Sequence, residues 1–311
     1  MRLFNLCGCK GTKNNSYMQI NLCNSEKSCI FAPRMAKIGV FDSGYGGLTI
    51  LDAIRKVLPE YDYIYLGDNA RAPYGTHSFD VIYRYTLQAV QYLFDQDCAL
   101  VILACNTASA KALRTIQQKD LPRINEQMVN GKMVNVLGVI RPTVEAVPAI
   151  TKNGHVGILA TPATVSSESY VLELKKIAPD LVVTQQACPM WVPLIEAGEH
   201  NSAGAKYFVG EYLRQILAAD PQIDTLVLGC THYPLLKAKI DEWLEYRVTT
   251  IAQGELEANS LKDYLNRHPE YREQLSQNGT CRYLTTENAD RFAQSALTFI
   301  GESICAEHIN L

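Results

Sequence analysis

A chain of 311 residues, 47% hydrophobic and 20% charged, is long enough for two compact domains, because single cores stop growing at roughly 250–300 residues. Its 29 basic and 32 acidic residues leave a formal net charge of −3, which argues against the basic excess of a nucleic-acid binder and the polybasic segment of a membrane-surface protein. Ten cysteines in a chain of this size, with no secretion signal and no apolar run near the roughly 20 residues of a membrane span, fit reduced thiols in a soluble cytoplasmic protein better than a disulfide framework.

Residues 1–34 are rich in Asn, Ser, Lys and Cys without helical or strand period, and they are expected to form a disordered extension that ends at Pro33-Arg34-Met35. Cys7, Cys9, Cys23 and Cys29 lack the paired C-x₂₋₄-C spacing of a zinc site, and no metal is expected. From Lys37 onward, short apolar runs alternate with longer amphipathic ones, the pattern of strand–helix repeats around mainly parallel sheets. The predicted strands are Ile38–Phe41, Tyr63–Leu66, Leu100–Ala104, Val136–Val139, Val156–Ala160, Leu181–Gln185 and Thr225–Leu228. Helices are predicted over Leu48–Val57, Ser78–Phe94, Ala108–Ile116 and Ala203–Ala219, with others after Ser166 and Pro234. The polar stretch around Gln118–Asn135 reads as a long loop. The expected fold is two pseudo-symmetric α/β domains with the active site in the cleft between them: 35–137 plus 252–311, completed by carboxyl-terminal helices, and 138–251.

An internal echo supports the pseudo-symmetry. Ile38–Phe41 runs into Asp42-Ser43-Gly44, and Leu100–Ala104 into Cys105-Asn106-Thr107; then Val156–Ala160 runs into Thr161-Pro162, and Thr225–Gly229 into Cys230-Thr231-His232. Each half thus places a cysteine just past the carboxyl end of a strand, where open α/β sheets bind ligands. A sulfur there sits near a helix amino terminus, and such a setting is expected to lower a thiol pKa from about 8.5 to roughly 3.5–7.5. A lone cysteine of this kind is as readily a small buried hydrophobe, a nucleophile or a redox thiol. Two of them facing across a cleft suit a two-base inversion at carbon, one taking the α-proton and the other returning a proton to the opposite face.

The runs FDSGYGGLTIL, GDNARAPYGTHS, ILACNTASA, ATPATVSSESY, CPMWVPLIEAG and LGCTHYPLL, in this order, resemble the signature segments of the glutamate racemase family. The resemblance covers Lys37 to about Leu244, and more loosely AQGELEANSLKDYL and the tail to about residue 300. It implies that Cys105 and Cys230 are the proton donors and acceptors. It further implies that Asp42, Ser43, Tyr74, Gly75, Asn106, Thr107, Thr231 and His232 bind substrate, and that Asp42, Asp68, Glu196 and His232 assist catalysis. The implied activity is cofactor-independent interconversion of L- and D-glutamate, the D-enantiomer serving peptidoglycan synthesis, in an enzyme expected to be a homodimer.

Each of these residues also has a purely structural reading. Asp42 would cap the helix near Gly47, Asp68 would be a turn residue before Asn69, and Tyr74-Gly75 would form a tight turn after Pro73. His232 would be a packed core histidine and Glu196 a solvated helix residue. Asn106 and Thr107 would simply cap the helix; beyond capping, they would present an amide and a hydroxyl to a carboxylate at its amino terminus. Cys98, Cys188, Cys281 and Cys305 are read as packing or surface residues without a strand-end setting. Gly44-Tyr45-Gly46-Gly47 lacks dinucleotide spacing, no G-x-x-x-x-G-K-[ST] loop is present, and no cofactor is expected. The rival readings are a two-cysteine racemase of aspartate or another amino acid, a non-catalytic amino-acid-binding protein on the same scaffold, and a thiol oxidoreductase.

Overall fold

The computed structural model describes residues 35–128 and 133–311. The expectations for 1–34, with their four cysteines, and for 129–132 lie outside the described residues. The described strands are β1 (Lys37–Asp42), β2 (Tyr63–Gly67), β3 (Cys98–Leu103), β4 (Asn135–Gly138), β5 (His155–Ala160), β6 (Val182–Ala187), β7 (Thr225–Gly229), β8 (Thr249–Ile251), β9 (Cys281–Thr285) and β10 (Ala306–His308). They form two sheets, in the orders β10-β9-β2-β1-β3-β4 and β6-β5-β7-β8, and every pairing within them is parallel. The order β2-β1-β3-β4 matches β6-β5-β7-β8 strand for strand, so the echo in the sequence is a repeat in the topology. The fold is α/β with two parallel sheets.

Strand alternation builds the core of the first sheet. Ile38, Val40, Tyr63, Tyr65, Leu100 and Ile102 face one way, against the helices Gly47–Val57, Gly254–Arg267 and Ala289–Ile300. Phe41, Ile64, Leu66, Val101 and Leu103 face the other, against Phe79–Asp95 and the chain after Cys105. Burial on both faces explains why these strands read as unbroken apolar runs. The second sheet is covered the same way, with Leu226 and Leu228 under the helix Ala203–Ala219 and Ile158 and Val227 under Ile140–Ile150 and Ser169–Ile177.

All seven predicted strands are present, with ends displaced by a residue or two, and three strands were missed. β8 and β10 have three residues each, and β9 begins with a half-buried Cys281 and an exposed Arg282, so none carries a strong apolar period. The carboxyl-terminal segment therefore contributes two strands to the first sheet as well as helices. The stretch read as a long loop after Gln118 is instead helical through Gln127, in a π-helical turn Ile116–Asp120 and a helix Leu121–Gln127. Buried Asp120 fixes that turn by accepting from Tyr83 Oη (2.7 Å) and Arg123 Nη2 (2.7 Å), and buried Leu121 packs under it. Among the described residues no helix is long and apolar enough to cross a membrane.

Candidate active site

The carboxyl ends of β1, β3, β5 and β7 converge on one cavity lined by Ser43, Cys105, Thr107, Thr161, Cys230 and His232, among others, and closed on one side by the turn Tyr74–Thr76. Tight backbone approach makes this convergence possible. A Cβ on Gly46 would stand 2.3 Å from Thr231 Oγ1 and 2.4 Å from His232 Nδ1, and one on Gly47 would stand 2.4 Å from Asp42 Cβ. Only glycine at these positions lets the helix Gly47–Val57 reach both Asp42 and the loop after β7.

Cys105 and Cys230 are both buried in the cavity wall, one from each sheet. Cys105 precedes the helix Asn106–Lys111, and its Sγ accepts the Ala108 N–H (3.4 Å) and lies 3.3 Å from Ser43 Oγ. The helix-end setting does not lower this thiol as the sequence suggested. Burial, reinforced by the Asp42 charge, pushes it up to about 12 against the hydrogen bonds from Ser43 and Ala108. One amide at the end of a short helix is a weaker influence than complete removal from water.

The surroundings of Cys230 have the opposite sign. His232 Nδ1 lies 3.9 Å from Cys230 Sγ, and Nε2 lies 3.0 Å from Glu196 Oε1. Burial alone would push the imidazole down, but its hydrogen bonds and charge interactions with Cys230 and Glu196 outweigh this and hold it at about 10. A positive charge therefore stands beside the Cys230 sulfur at neutral pH. Phe299 meets the imidazole edge-on with centroids 5.3 Å apart, excluding water from that side.

Two carboxylates named from the sequence stand behind the cavity wall rather than in it. Asp42 is fully buried, accepts the Gly44 N–H (2.9 Å) and lies 3.4 Å from Thr231 Oγ1. Burial raises its pKa, against the His232 charge and the Gly44 and Gly47 amides. Asp68, also fully buried, accepts from Arg71 Nε (2.6 Å), Tyr74 Oη (2.5 Å) and Thr286 Oγ1 (2.9 Å). Neither carboxylate lines the cavity: the Asp42 side chain, expected to bind substrate, instead reaches Thr231 and the Gly44 amide, and Asp68, expected to assist catalysis, holds Tyr74. Asp68→Asn keeps the shape but weakens a three-donor anchor of Tyr74. Because hydrogen bonds to charged groups contribute about 1.5–3 kcal/mol, KM is expected to rise about tenfold or more while the circular dichroism spectrum stays native. An unchanged KM in folded protein would detach Tyr74 from substrate binding.

Asn106 lines the cavity, and its side chain is anchored from behind: Nδ2 donates to Gln253 Oε1 (2.6 Å), and Oδ1 accepts from Tyr170 Oη (2.7 Å). The segment also offers the first-turn N–H groups of Asn106 and Thr107, which have no intrahelical acceptor, and the Thr107 hydroxyl, 3.0 Å from Thr161 Oγ1. Cys188 was misread as lacking a strand-end setting. It directly follows β6 and lines the cavity, and burial pushes its thiol well up. Thr161, Pro162, Pro189 and Val192 line the cavity too. All four lie within the ATPATVSSESY and CPMWVPLIEAG segments, whose prolines and small residues carry no local mark of a binding role. Cys98 is buried at the start of β3, Cys281 is half-buried and Cys305 exposed, as read. Among the described residues no cluster of His, Cys, Asp or Glu is arranged to hold a metal ion.

A doubled α/β fold that gathers two buried thiols and several hydroxyls around one small cavity at its strand ends belongs to the class of enzymes that act on a small polar molecule. The Asp/Glu/Hydantoin racemase family matches residues 48–255. A glutamate racemase of Ruegeria sp. is 41% identical over 280 residues, covering 87% of this chain and 98% of that protein. The glutamate racemase of Geobacter metallireducens is 39% identical over 264 residues, covering 85% and 92%. Among solved structures, glutamate racemase isoform RacE1 of Bacillus anthracis superposes with a TM-score of 0.77 at 31% identity over 89% of this chain and 98% of that one. The Francisella tularensis glutamate racemase in complex with D-glutamate gives 0.76 at 33% identity, covering 88% and 97%. The chain belongs to the Asp/Glu/Hydantoin racemase family, as a glutamate racemase.

Proposed function

We propose that this enzyme interconverts L- and D-glutamate by a two-base mechanism in which Cys105 and Cys230 flank the α-carbon. The observation that carries the mechanism is the pair of buried thiols at topologically equivalent strand ends, β3 and β7, lining one cavity from different sheets. One sulfur takes the α-proton as the other, a thiol, delivers a proton to the opposite face; stereochemistry inverts and the proton inventory reverses. The Asn106 and Thr107 amides and the Thr107 hydroxyl receive the substrate carboxylate, where they also oppose the charge that develops as the α-proton leaves. Ser43, Tyr74-Gly75 and Thr231-His232 hold the rest of the molecule. His232, oriented by Glu196, serves Cys230, and burial, reinforced by the Asp42 charge, keeps Cys105 protonated at rest. The D-glutamate complex of the Francisella relative supports the substrate.

The working unit is taken as two domains, 35–137 with 252–311 and 138–251, each built on one of the two sheets. Assembly as a homodimer, a cytoplasmic location and supply of D-glutamate to peptidoglycan synthesis complete the reading, on the strength of the family. The test is proton NMR of L- and D-glutamate in D₂O with purified enzyme and no added cofactor, alongside chiral analysis. Loss of the α-proton signal from both enantiomers, with formation of the opposite one, is expected. Conversion of aspartate but not glutamate, or substrate binding without exchange, would transfer the assignment to the rival readings.

A further inference from the structure

Running back from the cavity wall at Asn106, three buried side chains from separate parts of the chain close a ring of hydrogen bonds. Asn106 Nδ2 donates to Gln253 Oε1 (2.6 Å), Gln253 Nε2 donates to Tyr170 Oη (2.9 Å), and Tyr170 Oη donates to Asn106 Oδ1 (2.7 Å). Every member both gives and receives in the same sense, an arrangement in which each bond polarises the next. Gln253 Nε2 also reaches Thr143 Oγ1 (2.9 Å) and Val139 O (3.2 Å), so its amide is fully engaged.

The placement of the three residues gives the ring its meaning. The chain passes from the first sheet to the second at Val139, just after β4, and returns after β8 through Ala252-Gln253. Gln253 thus ties the two crossings together. Asn106 is the neighbour of Cys105 and begins its helix. The Tyr170 ring packs so closely on the residue before Cys230 that a Cβ on Gly229 would stand 3.3 Å from Tyr170 Cε2. One ring therefore touches the supports of both thiols and the two connections between the sheets.

We propose that Gln253 is a positioning residue which, through Asn106 and Tyr170, sets Cys105 and Cys230 in register on opposite faces of the substrate. The proposal rests on the two-thiol reading above. Inversion needs both sulfurs in place during one carbanion lifetime, whereas removal and return of a proton on one face needs only one. Loosening the ring consequently slows delivery across the substrate more than return on the same side.

The experiment compares wild type with Gln253→Leu and Tyr170→Phe, the latter breaking the ring by removing one hydroxyl with little change of shape. Initial rates in D₂O are taken for deuterium appearing in the recovered starting enantiomer and for formation of the opposite enantiomer, with kcat and KM in both directions. Both variants are expected to lower kcat about 10- to 100-fold, the scale of a small misplacement of reacting groups, with less change in KM. The ratio of exchange with retention to inversion should rise severalfold. A merely structural role would reduce the amount of active enzyme and leave that ratio alone. An unchanged ratio in folded Tyr170→Phe overturns the proposal whether or not Gln253→Leu folds, as does wild-type kcat in either variant. If wild type itself fails to racemise glutamate, the two-thiol reading falls and takes this one with it; if wild type racemises and the ratio holds, only the ring's role is lost.

Discussion

Cys105→Ser and Cys230→Ser are each expected to keep the native fold and to lower racemisation by about 10²–10⁴-fold, the usual contribution of a positioned acid or base. The exchange of sulfur for oxygen is nearly isosteric, and both sites are buried in the cavity wall without a disulfide, so the loss is chemical. The more telling outcome is an asymmetry. With one sulfur left, the α-proton is removable only from the enantiomer that presents it to that sulfur. Each variant should then wash the α-proton of one enantiomer into D₂O, and the two variants should act on opposite enantiomers. Proton NMR of L- and D-glutamate incubated separately with each protein reads this directly. Wash-out of the same enantiomer by both, or a wild-type rate in either, would remove the two thiols from opposed roles.

How much of this was legible in the sequence depended on how local each cause is. β1 and β3 were visible because burial on both faces leaves an unbroken run of non-polar residues through their middles, and Cys105 and Cys230 because a strand end can be located to a residue or two. The repeat β2-β1-β3-β4 against β6-β5-β7-β8 was implied by the same strand ends. β9 and β10 were not visible, since a short strand at a sheet margin owes its conformation to a neighbour that lies about 220 residues away in the chain for β9 on β2. The direction of the Cys105 shift was misjudged for a related reason: the helix amino terminus is written in the sequence, but the depth of burial and the approach of Asp42 are tertiary. Nor does anything local announce that Gln253, 147 positions on, holds the Asn106 amide from behind the cavity. Cys188 follows a strand whose pattern, VVTQQA, is too polar to mark its end clearly.

The two thiols occupy the same place in a repeated topology but do not share an electrostatic setting, and His232 is the source of the difference. Cys105 faces Asp42 and stays protonated, whereas Cys230 faces an imidazole that Glu196 helps to keep charged. The two thiols therefore stand beside charges of opposite sign. Replacing His232 by Asn removes a buried charge beside the Cys230 sulfur, and a loss of about 10²-fold in kcat/KM is expected, comparable to deleting one donor from a preorganised site. The pH profile distinguishes this from simple disruption. Because the imidazole is held at about 10, above its ordinary 6.5, wild-type kcat/KM should fall as pH rises through about 10, and His232→Asn should lose that alkaline limb. Glu196→Gln withdraws one of the two groups that hold the proton, so its limb should move to lower pH. Folding stability follows the same sign: the contribution of His232 is fully present below about 6.5 and is lost as pH climbs through about 10, a loss that denaturant titration should show in wild type and not in His232→Asn. A variant that kept the wild-type limb would assign it to another group and leave Cys230 without its cationic partner.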